Sequence, residues 1–175
     1  MIFQPTTFPD AWLIELEPAV DSRGFFARTF CIDEFAAKGL EIHYAQQSVS
    51  FSVRKGTLRG MHYQREPHSE VKLVRCIKGA IWDVIVDIRP VSPTYRCWQG
   101  FELSSANRYQ LYIPKGFAHG FQTLDDDVEV NYVISVPYSP ESSYGIRHDD
   151  PCFKIHWPLP VTEMSFKDLH WPDFT

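Results

Sequence analysis

Two short blocks hold histidines where a proton could be moved: Leu58-Arg-Gly-Met-His-Tyr-Gln64 and Pro114-Lys-Gly-Phe-Ala-His-Gly120. Each sets one imidazole, His62 or His119, among glycines and apolar residues at the edge of a strand-like run. Both rings could therefore face one interior. Imidazole titrates near neutrality, and Arg59, three residues before His62, offers a fixed fork of donors that suits a phosphate. The pairing points to acid–base chemistry on an anionic substrate.

Other residues widen that set, and each has a plainer reading beside it. Lys72 alternates with Val71 and Leu73, so strand geometry points it away from both, toward either a lumen or water. Tyr132 lies in an alternating run and reads equally as core packing. Asp168, in Ser165-Phe-Lys-Asp, reads as a turn residue, Arg59 as the partner of a surface carboxylate, and His62 or His119 as a hydrogen-bonded core histidine. Histidines 43, 68, 148, 156 and 170 sit in turn-like or polar contexts and are expected at the surface.

A metal centre is the first chemistry to test. Small barrels that bind metals offer a His-x-His pair, a later Glu and a distant His. Here the pair would be His62 and Gln64, and the Glu position, seven before Gly79, is Lys72. A protonated lysine repels a divalent cation and cannot ligate it, so no metal and no other cofactor is expected. A lysine beside a histidine suits a different task. It stabilises charge appearing on a carbonyl oxygen while the imidazole removes the adjacent proton.

These groups must be carried by short elements. The chain has 175 residues, 44% hydrophobic and 15% aromatic, enough to bury a core in one domain spanning residues 1–175. Thirteen prolines and nine glycines are spread along it, which favours many short strands over long helices. In Ile81 to Arg89, Trp82, Val84, Val86 and Ile88 fall on one face, with Ile81, Asp83, Ile85 and Asp87 on the other. Similar runs appear at Val71 to Ile77, Trp98 to Leu103, Gln110 to Ile113, Gly120 to Leu124 and Val128 to Val136. Asp33-Glu-Phe-Ala-Ala-Lys-Gly39 reads as one short helix, acidic first and ending in Lys then Gly. The expected fold is an all-β, double-sheet antiparallel jelly roll with one short N-terminal helix. The tail from Asp149 is too proline-rich for more sheet and is expected to pack irregularly over the barrel.

Charge and cysteines bound the setting. The formal charge of -5, without a long basic run, argues against a nucleic-acid partner. Cys31, Cys76, Cys97 and Cys152 show no paired spacing, Met1 to Trp12 lacks a leader pattern, and no segment is apolar for the length of a membrane span. A reduced, cytoplasmic location is expected.

The motif order carries a resemblance. Asp21-Ser-Arg-Gly-Phe-Phe26, Gln46, Gly56 to Gln64, Lys72-Leu-Val, Asp83-Val-Ile-Val-Asp-Ile-Arg89, Ser92-Pro-Thr94, Leu111 to Phe121, Tyr132, Asp150-Pro and Lys167-Asp168 resemble the dTDP-4-dehydrorhamnose 3,5-epimerase family. The resemblance implies a metal-free, cupin-type jelly roll, a homodimer, that epimerises a nucleotide-diphosphate-linked 4-keto-6-deoxy sugar. It implies His62 as the base, Asp168 on the far nitrogen of that ring, Lys72 on the enolate oxygen and Tyr132 as the acid on the opposite face of the sugar. It also implies Arg59, Arg23 and Lys167 on the diphosphate, Phe26 against the nucleobase, Gln46 and Ser48 on the nucleotide side, and His119 as a hydrogen-bonding pocket residue. In this family the strand with Arg23 and Phe26 reaches the partner subunit's site.

Departures cluster at the nucleotide end. Arg28 stands where the family pattern has Glu, Ser48 where it has Asn, and Ser143 at a further acidic position. None touches the proton-transfer set. Rival expectations are a single-carbon epimerase, a 3,4-ketoisomerase, an enzyme for CDP- or GDP-linked deoxysugars or heptoses, a metal-dependent cupin oxygenase or isomerase, and a non-catalytic sugar-binding module.

Overall fold

The computed structural model describes residues 1–175. In chain order the strands are β1 (Ile2–Pro5), β2 (Trp12–Glu15), β3 (Ala19–Asp21), β4 (Gly24–Phe26), β5 (Gln46–Ser52), β6 (Leu58–Gln64) and β7 (Lys72–Lys78). Then come β8 (Ala80–Asp87), β9 (Trp98–Ser104), β10 (Gln110–Ile113), β11 (Phe117–Thr123), β12 (Val128–Ile134) and β13 (Ser143–Gly145). Helix α1 spans Ile32–Ala36 and α2 spans Phe166–Leu169. A six-stranded sheet runs β1-β2-β10-β7-β12-β5, a five-stranded sheet runs β13-β6-β11-β8-β9, and β3-β4 forms a two-stranded ribbon. Every pairing between these strands is antiparallel. This is the expected double-sheet jelly roll of cupin type.

Strand parity builds the core. The faces that meet between the sheets contribute Val74 and Cys76 of β7, Ile81 and Ile85 of β8, Phe117 and Phe121 of β11, and Val128 and Val130 of β12. The opposite parity of β8, Val84 and Val86, packs with Met61 and Tyr63 under the C-terminal segment, where Phe153, Ile155, Trp157 and Phe174 cover it. Strand β8 is thus buried on both faces, which its apolar residues at both parities anticipate.

Helix α1 is too short to persist alone, and burial supplies what propensity does not. Phe35 is fully buried against Ile14, Val71, Leu73 and Tyr112, worth about 2–3 kcal/mol. The helix ends at Ala36, before the expected Gly39. Gly39 adopts φ 69 and the amide of Leu40 returns to the carbonyl of Phe35, a closing turn that the run of helix formers hides.

Asp87 closes the end of β8. Its carboxylate takes hydrogen bonds from Arg89 Nη2 at 2.8 Å and Thr94 Oγ1 at 2.7 Å, and Ser92 donates as well. Burial opposes its charge, but Arg89, Ser92 and Thr94 outweigh that and hold its pKa down at about 2.

Two elements depart from expectation in the C-terminal segment. It carries a helical turn, α2, capped by the Ser165 hydroxyl, which accepts from the amide of Asp168 at 3.1 Å. His148, expected at the surface, is largely covered, and its Nδ1 is buried without a hydrogen-bond partner.

Candidate active site

Between the sheets lies a cavity of about 720 Å³. Parity aims His62 of β6 and His119 of β11 into it from the five-stranded sheet, and Lys72 of β7 and Tyr132 of β12 from the six-stranded sheet. The two histidines are cross-strand partners in the β6–β11 ladder. Gly60, at φ 136, lets β6 approach β11 so closely that a Cβ would collide with the Cα of Gly120. Only glycine fits there.

His62 is oriented by a carboxylate delivered from 106 residues away. Its Nε2 lies 2.6 Å from Asp168 Oδ1, and the backbone amide of Gly60 reaches Asp168 Oδ2 at 3.4 Å. Desolvation opposes the buried Asp168 carboxylate, yet the contacts with His62 and Gly60 outweigh it and keep its pKa below the usual value. An ionised Asp168 accepts a hydrogen bond from Nε2–H, which leaves Nδ1 as the basic nitrogen of the neutral ring. The His62 side chain is 45% exposed, so this imidazole is reachable from the cavity.

Lys72 reaches the same chamber from the other sheet. Its ammonium is ion-paired with Glu70 Oε1 at 2.9 Å and donates to the backbone carbonyl of His62 at 3.2 Å. His119 forms a second histidine–carboxylate pair. Its Nε2 lies 2.9 Å from Asp83 Oδ2, and both side chains are buried. Complete burial pushes the Asp83 pKa up, countered in part by His119 and by the charge of Lys72.

Tyr132 faces His119 edge-on at 6.2 Å between centroids, with its hydroxyl 3.3 Å from Ser50 Oγ. Burial pushes its pKa well above that of a free phenol, so it keeps its proton at any working pH. Arg59 sits on the cavity rim, Nε donating to Ser52 Oγ at 3.0 Å and Nη2 to the carbonyl of Phe51 at 2.8 Å. Guanidinium has five donors, so several remain for a ligand. No group of three His, Cys, Asp or Glu side chains converges on a point suited to a metal ion.

Residues 5–175 match the family model described as dTDP-4-dehydrorhamnose 3,5-epimerase. The chain belongs to the dTDP-4-dehydrorhamnose 3,5-epimerase family. The enzyme of that name from Methanothermobacter thermautotrophicus is 46% identical over 97% of this chain and 92% of its own. The Bacillus anthracis family member, solved with TDP and pyrophosphate bound, superposes with a TM-score of 0.96 at 39% identity, covering 99% of both chains. The Legionella pneumophila enzyme, in complex with dTDP-4-keto-L-rhamnose, superposes with a TM-score of 0.90 at 38% identity, covering 95% of this chain and 89% of its own. Membership makes this chain an epimerase.

Gln46, Ser48 and Lys167 line the epimerase cavity with His62, Lys72 and Tyr132. Arg23 and Phe26 do not. They lie on the β3–β4 ribbon, Arg23 paired with Asp21 at 2.5 Å and Phe26 77% exposed. Arg28 is also away from the cavity, its Nη1 3.2 Å from Glu34 Oε1. Asp83, Glu70 and Ser50 were not singled out from sequence. The signal for Asp83 was a carboxylate sharing a face with Ile81 and Ile85, which burial requires to be partnered. For Glu70 it was same-face spacing of two from Lys72.

Proposed function

We propose that this chain epimerises dTDP-4-dehydro-6-deoxy-D-glucose to dTDP-4-dehydro-L-rhamnose, inverting carbons 3 and 5. The observation that carries the proposal is the His62–Asp168 pair on one sheet with Lys72 and Tyr132 on the other, around one cavity. A ketone at carbon 4 acidifies the hydrogens on both neighbouring carbons, so one base and one oxyanion stabiliser serve both inversions. His62 removes the proton, and Asp168 steadies the imidazolium that results. The electron pair moves onto the ketone oxygen, where the Lys72 ammonium stabilises charge present only after abstraction. Tyr132 returns a proton from the opposite face, and the resulting imidazolium and phenolate are reset by exchange with solvent, one proton released by His62 and one taken up by Tyr132.

Arg59 and Lys167 hold the diphosphate, with Gln46 and Ser48 toward the nucleoside. His119, with Nε2 committed to Asp83, offers its remaining nitrogen to the sugar. The proposal takes residues 1–175 as one domain acting as a homodimer, in which the β3–β4 ribbon carries Arg23 and Phe26 to the partner's cavity. The exposure of Val20, Phe25 and Phe26, and of Val49, Phe51 and Val53 on and beyond β5, supports that assembly. A reducing, cytoplasmic setting is included, supported by four unbridged cysteines. No helix is long and apolar enough to cross a membrane.

Incubation with the substrate in deuterated water tests the reading. Label is expected at carbons 3 and 5 and is lost in His62→Ala, with dTDP affinity within about 3-fold of wild type. Exchange near the wild-type rate in His62→Ala would reject the assignment of the base.

A further inference from the structure

We infer that Glu70 is a positioning residue for this reaction, holding the Lys72 ammonium so that one N–H is left for the ketone oxygen of the substrate. The inference rests on the role given to Lys72 above. Glu70 lies in the cavity wall two residues before Lys72, its side chain 11% exposed. One carboxylate oxygen is ion-paired with Lys72 Nζ at 2.9 Å, and the other accepts from Gln64 Nε2 at 3.1 Å. Gln64 is fixed in turn by the backbone. Its Oε1 accepts from the amide of Ser139 at 2.7 Å, and its Nε2 also donates to the carbonyl of His68 at 3.0 Å. Glu70 is therefore clamped from behind, and its free edge points at the lysine.

Donor counting shows what this achieves. An ammonium has three N–H groups, and here the His62 carbonyl takes one while the Glu70 carboxylate holds the charge in an ion pair at 2.9 Å. An N–H is left for a ligand. The same carbonyl ties the ammonium to the backbone of the base itself, so acid stabiliser and base are held in one frame. Without Glu70, a four-carbon stem regains rotamer freedom, and a competing charge is the buried Asp83 carboxylate, which already feels Lys72. A lysine turned toward Asp83 no longer meets the enolate. The counter-charge of Glu70 also weakens the pull of Lys72 on that enolate. Direction wins over this loss, because a donor acts on a developing oxyanion only when aimed at it.

Steady-state kinetics of the full chain with dTDP-4-dehydro-6-deoxy-D-glucose tests the inference through Lys72→Ala, Glu70→Ala and the double variant. A wild-type kcat in Lys72→Ala would remove the lysine's role and this inference with it. Where Lys72→Ala is impaired, Glu70→Ala is expected to lower kcat at least about 10-fold, with KM within about 3-fold. Added to Lys72→Ala, the same change is expected to cost less than about 3-fold, since its only route of action is already gone. Equal losses in both backgrounds would mean a structural role and overturn the inference. So would a wild-type kcat in Glu70→Ala. Should Glu70→Ala not fold, the near-isosteric Glu70→Gln carries the same comparison, because it removes the charge and turns an NH2 group on either Lys72 or Gln64.

Discussion

His119 and Asp83 sit on adjacent strands of the five-stranded sheet with Nε2 2.9 Å from Oδ2, and the Asp83 side chain is fully buried. A carboxylate with no access to water is tolerable only with its partner present. His119→Ala should therefore destabilise the fold by about 3 kcal/mol, and Asp83→Asn combined with His119→Gln should recover part of that. Urea denaturation of the three proteins measures it. A His119→Ala midpoint equal to wild type would show that Asp83 simply takes up a proton.

Asp168→Asn should lower kcat by roughly 10²- to 10⁴-fold while leaving KM within a few-fold. The amide preserves shape, but it no longer provides the negative charge that steadies an imidazolium or an unambiguous acceptor for Nε2. Initial rates across substrate concentration separate the two parameters. A rise in KM alone would place Asp168 in binding.

Tyr132→Phe leaves His62 and Lys72 intact, so abstraction should continue while proton return from the opposite face fails. Deuterium incorporation should then exceed net inversion, whereas the native enzyme couples them. The hydroxyl's raised pKa makes it a proton carrier across the working range. Full-rate inversion by Tyr132→Phe would identify another acid.

Arg28 engages Glu34, away from the cavity, which removes the cation from the chain's own nucleotide end. Calorimetric titration with dTDP, UDP, CDP and GDP should show a dTDP preference that survives Arg28→Ala. A preference for another base that Arg28→Glu reverses would put Arg28 on the nucleobase, with about 1–3 kcal/mol of discrimination at stake.

Acid stability should report on Asp87. Its folded pKa, about 2, lies below the unfolded value of roughly 3.9, so its contribution is complete above the unfolded value and lost as pH falls through about 2. The expected contribution is on the order of 2–3 kcal/mol. Asp87→Asn should destabilise at pH 7 and show a shallower decline than wild type between about pH 5 and 2. Parallel declines would mean that other carboxylates set the acid limit.

Much of the active site is legible as parity. Alternation in β8 separates Ile81, Asp83 and Ile85 from Val84 and Val86, and the same local rule turns Lys72 with Val74 and Cys76, and Tyr132 with Val130, toward the interior. The short edge elements are not legible in this way. Strands β1 and β2 are four residues each, too short to display a period. In α2 four residues are held by a cap and by the Asp168 contact with His62, not by propensity.

The sequence by itself determined the strand-rich class, the alternation that sets Lys72 apart from Val71 and Leu73, and the lysine at the position of a metal ligand, because alternation and side-chain chemistry are local properties. That His62, Lys72, Tyr132 and His119 all face one cavity was decided by the tertiary structure. Only the tertiary structure brought each carboxylate against its basic side chain. Asp168 reaches His62 across 106 residues, Asp83 takes His119 on the neighbouring strand, and Glu70 takes Lys72 although Asp83 also lies within its field. Those pairings depend on the approach of β6 to β11 at Gly60 and on where the C-terminal segment crosses β6, distances that no spacing along the chain encodes.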